Sequence, residues 1–229
     1  MHIQEEKAIL RKTMKQRLAS HQQFPKSKQQ EAASLDTMQQ QEILAIQLLF
    51  QEPQYQHADS ILAYAALPGE LSVDQLIQQA LDEGKKVFLP KSYPDNCSME
   101  FHLLKNHLPY TQQVVCGSYG IREPLSNREK YQESEKALVL VPGLAFTRTG
   151  QRLGRGKGFY DRFLARLSAD DCCFMGVCHQ WQIVERIPTE ATDIQLDFLL
   201  TPQELISCKK NKCMEKKFLK KIIFSFSFS

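Results

Sequence analysis

The stretch Ala137–Leu164, "ALVLVPGLAFTRTGQRLGRGKGFYDRFL", carries the reading of the fold in the order of its parts. Ala137 to Val141 is an unbroken apolar run with the length of a buried strand. Pro142 and Gly143 end it. Residues 158–168 read as a helix. Between the two lies a loop holding Gly150, Gly154, Gly156 and Gly158 together with Arg152, Arg155 and Lys157. Glycine costs stability by widening the unfolded ensemble, and the three cations repel one another. Such a loop is most easily understood if an anion completes it.

The same alternation extends outward. Upstream, "SILAYAAL" (60–67) is a second short apolar run, broken by "PGE" (68–70). Ser72 then stands where a helix cap is expected, with Gln75 completing a capping box. Leu76, Ile77, Ala80 and Leu81 supply that helix's buried face, and Gly84 stops it. "KVFLP" (86–90) and "MEFHLL" (99–104) read as strands, as do "CFMGVC" (173–178) and "DFLLTP" (197–202). Two helices precede all of this. Residues 3–19 carry Leu10, Met14 and Leu18 at spacing four, with Lys7 and Arg11 on a face beside that stripe. Residues 27–50 carry Leu35, Met38, Ile43, Ile46 and Leu49. Strand and helix in alternation predict an α/β fold with a mostly parallel central sheet flanked by helices. Such sheets bind ligands at the carboxyl ends of their strands. The two distinctive loops, 68–72 and 142–158, both follow strands and are expected to converge on one rim.

Composition narrows the function. The chain has 229 residues, 42% of them hydrophobic, and a formal charge of only +3. That balance argues against a dedicated nucleic-acid binder, so the positive charge has to be read locally. No apolar run is long enough for a membrane helix. The charged start, "MHIQEEKAILRKTMKQRL", lacks the apolar core of a secretory signal. Seven cysteines without a C-x-x-C pair fit reduced thiols in a cytoplasmic protein. A folded domain is expected over 1–206. The rest, 207–229, is basic and then alternates Phe and Ser; it reads as a disordered extension, with a weak anionic-surface contact as the alternative.

Backbone N–H groups in a glycine-rich turn ahead of a helix bind phosphate oxygens. The loop is not a Walker A motif, because Gln151 sits where the first Gly belongs and Gly158 follows Lys157. Nor is it the dinucleotide fingerprint, since Phe159 takes the final Gly position. Spacing alone leaves three readings: a phosphate cradle, a solvated surface loop, or an RNA-backbone clamp. Asp161, one turn into the following helix, either caps the dipole or holds Mg²⁺ beside phosphate. Asp197 opens the late strand. Glu70 has a site-like place after a strand, or is a solvent-exposed turn residue. His179 reads as structural, and no cysteine stands in an electropositive niche that would make it a nucleophile.

These residues together are specific enough to mark a resemblance. "LVLVPGLAFTRTGQRLGRGKGFYDRFL" resembles the signature of the 5-formyltetrahydrofolate cyclo-ligase (methenyltetrahydrofolate synthetase) family. Lys7-x-x-x-Arg11, "PGEL", "MEF", "GIREP" and "IPTEATDIQLDFLLTP" match in order, over residues 3–203 or so. The resemblance implies a Rossmann-like layered fold, ATP and Mg²⁺. It also implies cyclisation of 5-formyltetrahydrofolate to 5,10-methenyltetrahydrofolate through phosphorylation of the formyl oxygen, with release of ADP and phosphate. It places Lys7, Arg11, Arg152, Gly154, Arg155, Gly156, Lys157, Gly158 and Tyr160 around the nucleotide, with Arg155, Lys157 and Tyr160 in catalysis. Glu70, Phe159 and Tyr160 would touch the folate, and Asp161 and Asp197 would hold the metal. Phe159 stands where some members have Tyr, and Thr192 where His is common before an Asp. A soluble monomer with a small-molecule substrate is expected. The competing reading is a non-catalytic folate- or RNA-binding protein on the same fold.

Overall fold

The computed structural model describes residues 2–21, 28–106, 108–125, 128–133 and 136–208, with 28–38 as backbone. The basic Phe/Ser segment after 208, and the side chains of Leu35 and Met38, lie outside the described residues. Five helices are described: α1 (Ile3–His21), α2 (Lys28–Phe50), α3 (Pro53–Gln56), α4 (Asp74–Asp82) and α5 (Phe159–Leu164). The strands are β1 (Ser60–Leu62), β2 (Lys86–Tyr93), β3 (Ser98–Leu103), β4 (Val114–Cys116), β5 (Arg122–Pro124), β6 (Ala137–Val141), β7 (Ala145–Phe146), β8 (Arg152–Leu153), β9 (Cys172–Val177), β10 (Phe198–Leu200) and β11 (Leu205–Ser207).

Seven strands form the main sheet in the order β11-β10-β9-β6-β1-β2-β3. The five central strands run parallel, and β3 and β11 close the edges antiparallel. All five residues of β6 are buried, because the strand is covered on both faces. Leu138 and Leu140 face the layer containing Ala45, Ile46 and Leu49 of α2 and Leu76, Ile77, Ala80 and Leu81 of α4. Val139 and Val141 face the opposite layer, with Phe163 and Leu164 of α5. The result is the helix–sheet–helix layering expected of the sequence.

Details differ from expectation where a local pattern competes with packing. In α2 the buried residues include Ala45, Ile46 and Leu49, whereas Ile43 is exposed. The capping box at Ser72 and Gln75 does not form. Val73 is the N-cap, and the Ser72 hydroxyl accepts the Asp74 N–H at 3.2 Å. Strand β11 runs to Ser207 and Cys208 is buried behind it, two residues past the boundary drawn at 206.

One packing contact decides the site. Met14 and Leu10 of α1 pack against Leu144, Ala145 and Leu153, which belong to the β7–β8 hairpin inside the glycine-rich segment. The first helix is thereby laid on the loop that follows the central strand.

Candidate functional site

The loops after β1 and β6 meet, as the strand pattern predicted, and enclose a cleft of about 470 Å³. Its walls include Leu67, Pro68 and Glu70 from the first loop and Gly154, Arg155, Lys157 and Gly158 from the second. Phe159, Tyr160 and Asp161 open α5 against it. Gly156 and Gly158 adopt φ of +103° and +67°, left-handed conformations that side chains rarely accept. This geometry turns the chain sharply into α5.

Glu70 and Arg155 bind each other across the cleft. Arg155 Nη2 and Nε donate to Glu70 Oε1 at 2.7 and 3.1 Å, while Glu70 Oε2 accepts the Leu67 N–H at 3.0 Å. The Glu70 side chain is only 8% exposed, so it is not a solvated turn residue; Arg155 is 38% exposed. Lys157 is exposed and makes no ion pair among the described residues. From α1, Arg11 Nε donates to the Gly154 carbonyl at 3.1 Å, and Lys15 joins the cleft wall. Lys15 was missed by sequence reasoning, although it continues the spacing of four from Lys7 and Arg11.

Three expected site residues have other surroundings. Lys7 does not line the cleft. Its ammonium sits between Glu190, at 3.1 Å, and Asp193, at 2.6 Å, and its side chain is 5% exposed. Two carboxylates neutralise it, so it ties α1 to the segment before β10. Arg152 is buried within the cleft wall. Its Nη2 donates to Asp161 Oδ1 at 2.7 Å and its Nη1 to the Pro142 carbonyl at 3.2 Å. Asp197 is not among the residues lining the cleft. Its carboxylate accepts the Phe174 N–H at 2.9 Å and so stitches β10 to β9. Asp197 thus lies outside the cleft wall that Asp161 joins, and among the described residues there is no group of three or more His, Cys, Asp and Glu that could hold a metal.

Among the described residues, two buried polar atoms in the cleft wall lack a partner: the Tyr160 hydroxyl and Arg152 Nε. Burial, and then the charge of Glu70, push the Tyr160 phenol well above its ordinary pKa, so it stays protonated and able to donate. Tyr64, Met99, Ile121 and Tyr119 complete an aromatic and apolar side of the cleft. Tyr119 has φ of 60°, unusual for a bulky residue, and its ring lies 6.3 Å from that of Phe159. Met99 and Ile121 fall in the "MEF" and "GIREP" stretches, but none of the four was singled out as a site residue from the sequence. His179 is structural, as expected: its ring stacks on Trp181, and its Nδ1 lies 3.2 Å from Gln41 Oε1. Burial raises the pKa of the Cys172 and Cys178 thiols, the opposite of what a nucleophile needs.

The fold and the cleft define a class: a three-layer α/β protein whose site sets a glycine-rich cationic cradle opposite a buried acid and an aromatic wall. Comparison with known proteins narrows it. The chain belongs to the 5-formyltetrahydrofolate cyclo-ligase family, whose profile it matches over residues 3–202. It is 34% identical to the Escherichia coli 5-formyltetrahydrofolate cyclo-ligase over 149 residues, covering 65% of this chain and 80% of the relative. It is 29% identical to a probable 5-formyltetrahydrofolate cyclo-ligase of Caenorhabditis elegans, covering 76% and 87%. The NMR structure of Aquifex aeolicus 5,10-methenyltetrahydrofolate synthetase superposes with a TM-score of 0.69 at 27% identity, covering 91% of this chain and 95% of that one.

Proposed function

We propose that this protein catalyses the ATP-dependent cyclisation of 5-formyltetrahydrofolate to 5,10-methenyltetrahydrofolate. The observation that carries the proposal is the cleft, whose wall brings together Lys157 on a glycine cradle, without an ion pair among the described residues, Glu70, and Tyr160 with its buried hydroxyl. When bound, ATP supplies the phosphoryl group that turns the formyl oxygen into a leaving group, so that N10 can close the ring and release phosphate. This chain's own residues then have positioning and electrostatic work rather than nucleophilic work.

The residues fit a polyphosphate. Gly154 and Gly158 line the cleft with the cations Lys157, Arg155 and Lys15, and Arg11 adds charge beside it, against Gly156 and the Gly154 carbonyl. Mg²⁺ bound mainly by phosphate and water takes only one or two protein carboxylates. Asp161 and Glu70 are the acids in the cleft wall, each with one oxygen already paired to an arginine. Glu70 is the natural partner for the polar edge of a pterin, and Tyr160 the donor towards an oxygen on the folate. The apolar side formed by Met99, Ile121 and Phe159 suits the flat, uncharged part of such a substrate.

The test is direct. Mixing protein, ATP, Mg²⁺ and 5-formyltetrahydrofolate should produce the near-ultraviolet absorbance of the methenyl product, and omitting ATP should abolish it. Product formed without nucleotide would overturn the reading. Binding of both ligands without turnover would favour the non-catalytic alternative.

A further inference from the structure

Arg152 shares a loop and a charge with Arg155 and Lys157, but its surroundings differ from theirs. Its side chain is 4% exposed. One arm of the guanidinium donates to the Pro142 carbonyl just past the end of β6, and the other to Asp161 in the first turn of α5. Its central carbon lies 5.6 Å from the centroid of the Tyr160 ring. The chain keeps room for this arrangement: a Cβ on Gly154 would stand 3.0 Å from Nη1, and one on Gly143 3.2 Å from Cγ. A buried guanidinium is costly unless paired. Here the planar fork is matched to a carbonyl on one side and a carboxylate on the other, geometry that a lysine cannot reproduce.

We infer that Arg152 is a positioning residue: it clamps Tyr160 and Asp161 against the end of the central strand and does not bind phosphate itself. Three elements meet at this one side chain, namely the end of β6, strand β8 and the start of α5. Tyr160 follows the last glycine of the cradle by two residues, and its ring packs on the apolar layer that holds Phe163 and Leu164. The guanidinium over the ring, and the carboxylate of the next residue fixed beside it, set its orientation on that layer. The phosphate-facing charge is then left to Arg155, Lys157, Arg11 and Lys15, which are more exposed.

This inference rests on the proposed cyclo-ligase reading, and the experiment separates the two. Arg152→Lys and Arg152→Gln are compared with wild type and with Arg155→Lys, using a non-hydrolysable ATP analogue for binding and methenyl formation for turnover. The expected result is analogue affinity within about twofold of wild type, with kcat lower by on the order of tenfold to a hundredfold, the scale of a misplaced reacting group. Added guanidinium ion should restore part of the rate. The double variant Arg152→Lys/Tyr160→Phe should be little slower than the slower single variant, because Arg152 acts through Tyr160. A tenfold or larger loss of analogue affinity in Arg152→Lys, matching Arg155→Lys, would overturn the inference, as would single effects that multiply in the double variant. If the variants do not fold, labelling of the wild-type protein decides. An arginine-selective dicarbonyl should leave Arg152 unmodified with or without analogue, whereas labelling of Arg152 that the analogue blocks would overturn the inference. Failure of the cyclo-ligase reading looks different: wild type itself would form no product and bind neither ligand.

Discussion

Lys157 and Asp197 are both charged residues that the resemblance assigns to the site, and their substitution should have opposite signatures. Lys157 is exposed and without an ion pair among the described residues. Lys157→Ala should therefore leave the melting temperature unchanged. A cation placed where phosphoryl charge develops is worth roughly 3–4 kcal/mol, so turnover should fall by on the order of a hundredfold or more. Steady-state rates and a thermal melt of the same sample check both halves. Asp197 gives the mirror case. Its carboxylate accepts the Phe174 N–H, so Asp197→Ala should destabilise the fold by roughly 1–3 kcal/mol, the cost of a buried donor left unmet. The Mg²⁺ dependence of the remaining activity should stay that of wild type. A shifted Mg²⁺ titration would return Asp197 to the metal.

At the scale of elements, the site depends on α1 lying on the β7–β8 hairpin. Met14 is fully buried there, and truncation of a buried Met typically costs about 2–5 kcal/mol. Met14→Ala should do more than lower the melting temperature. Because α1 carries Lys15 to the cleft wall and Arg11 to the Gly154 carbonyl, the KM for ATP should rise while the KM for the folate changes less. The loop after β1 should show the reverse. Glu70→Gln keeps the shape of the side chain but removes the charge that holds Arg155 and would face the pterin. Its KM for 5-formyltetrahydrofolate should rise more than its KM for ATP. Equal changes in both constants would mean that the ion pair merely braces the two loops.

The whole molecule should weaken in mild acid, for a reason that lies away from the cleft. His102 and His179 are both buried, and desolvation is the main cause lowering each pKa below the ordinary imidazole value, with the charge of His21 adding to it at His179. Their environments include Glu100, Lys130 and Lys91 around His102, and Trp181 and Gln41 around His179. A depressed folded pKa means that the unfolded chain binds the proton first. Stability is therefore complete above the unfolded imidazole pKa of about 6.5 and is lost as pH falls from there towards the folded values. Melting temperatures measured between pH 7.5 and pH 5 should fall (these limits span about 6.5), and His179→Gln should flatten part of that slope.

How far the sequence foretold this architecture depended on the range of the interaction. The apolar runs of β6 and β9 and the stripe of α4 are local patterns, and they were legible. So was the meeting of the two loops, because strand direction dictates it. The partners of Lys7, Arg152 and Asp197 were not legible. Each is a charged residue of the expected type at the expected place, and each is diverted by a partner distant in the chain or in another element: Glu190 and Asp193, the Pro142 carbonyl, the Phe174 N–H. Strands β7 and β8, of two residues each, are too short to leave a period. Tyr119 gained its place from a backbone conformation that no composition reveals.

The pairing of Lys7 with Asp193 joins residues 186 apart in the chain. During translation the helix that carries Lys7 is made 186 residues ahead of its counterpart. At about 5–20 residues per second, that interval is roughly 10–40 s. For most of that time, until residues 144–158 are made, Leu10 and Met14 have no hairpin to cover them, and the cations of α1 have no cradle beside them. The nascent helix thus waits with its apolar stripe uncovered, and slowing synthesis between codons 21 and 153 should aggravate aggregation, whereas slowing it after codon 208 should not.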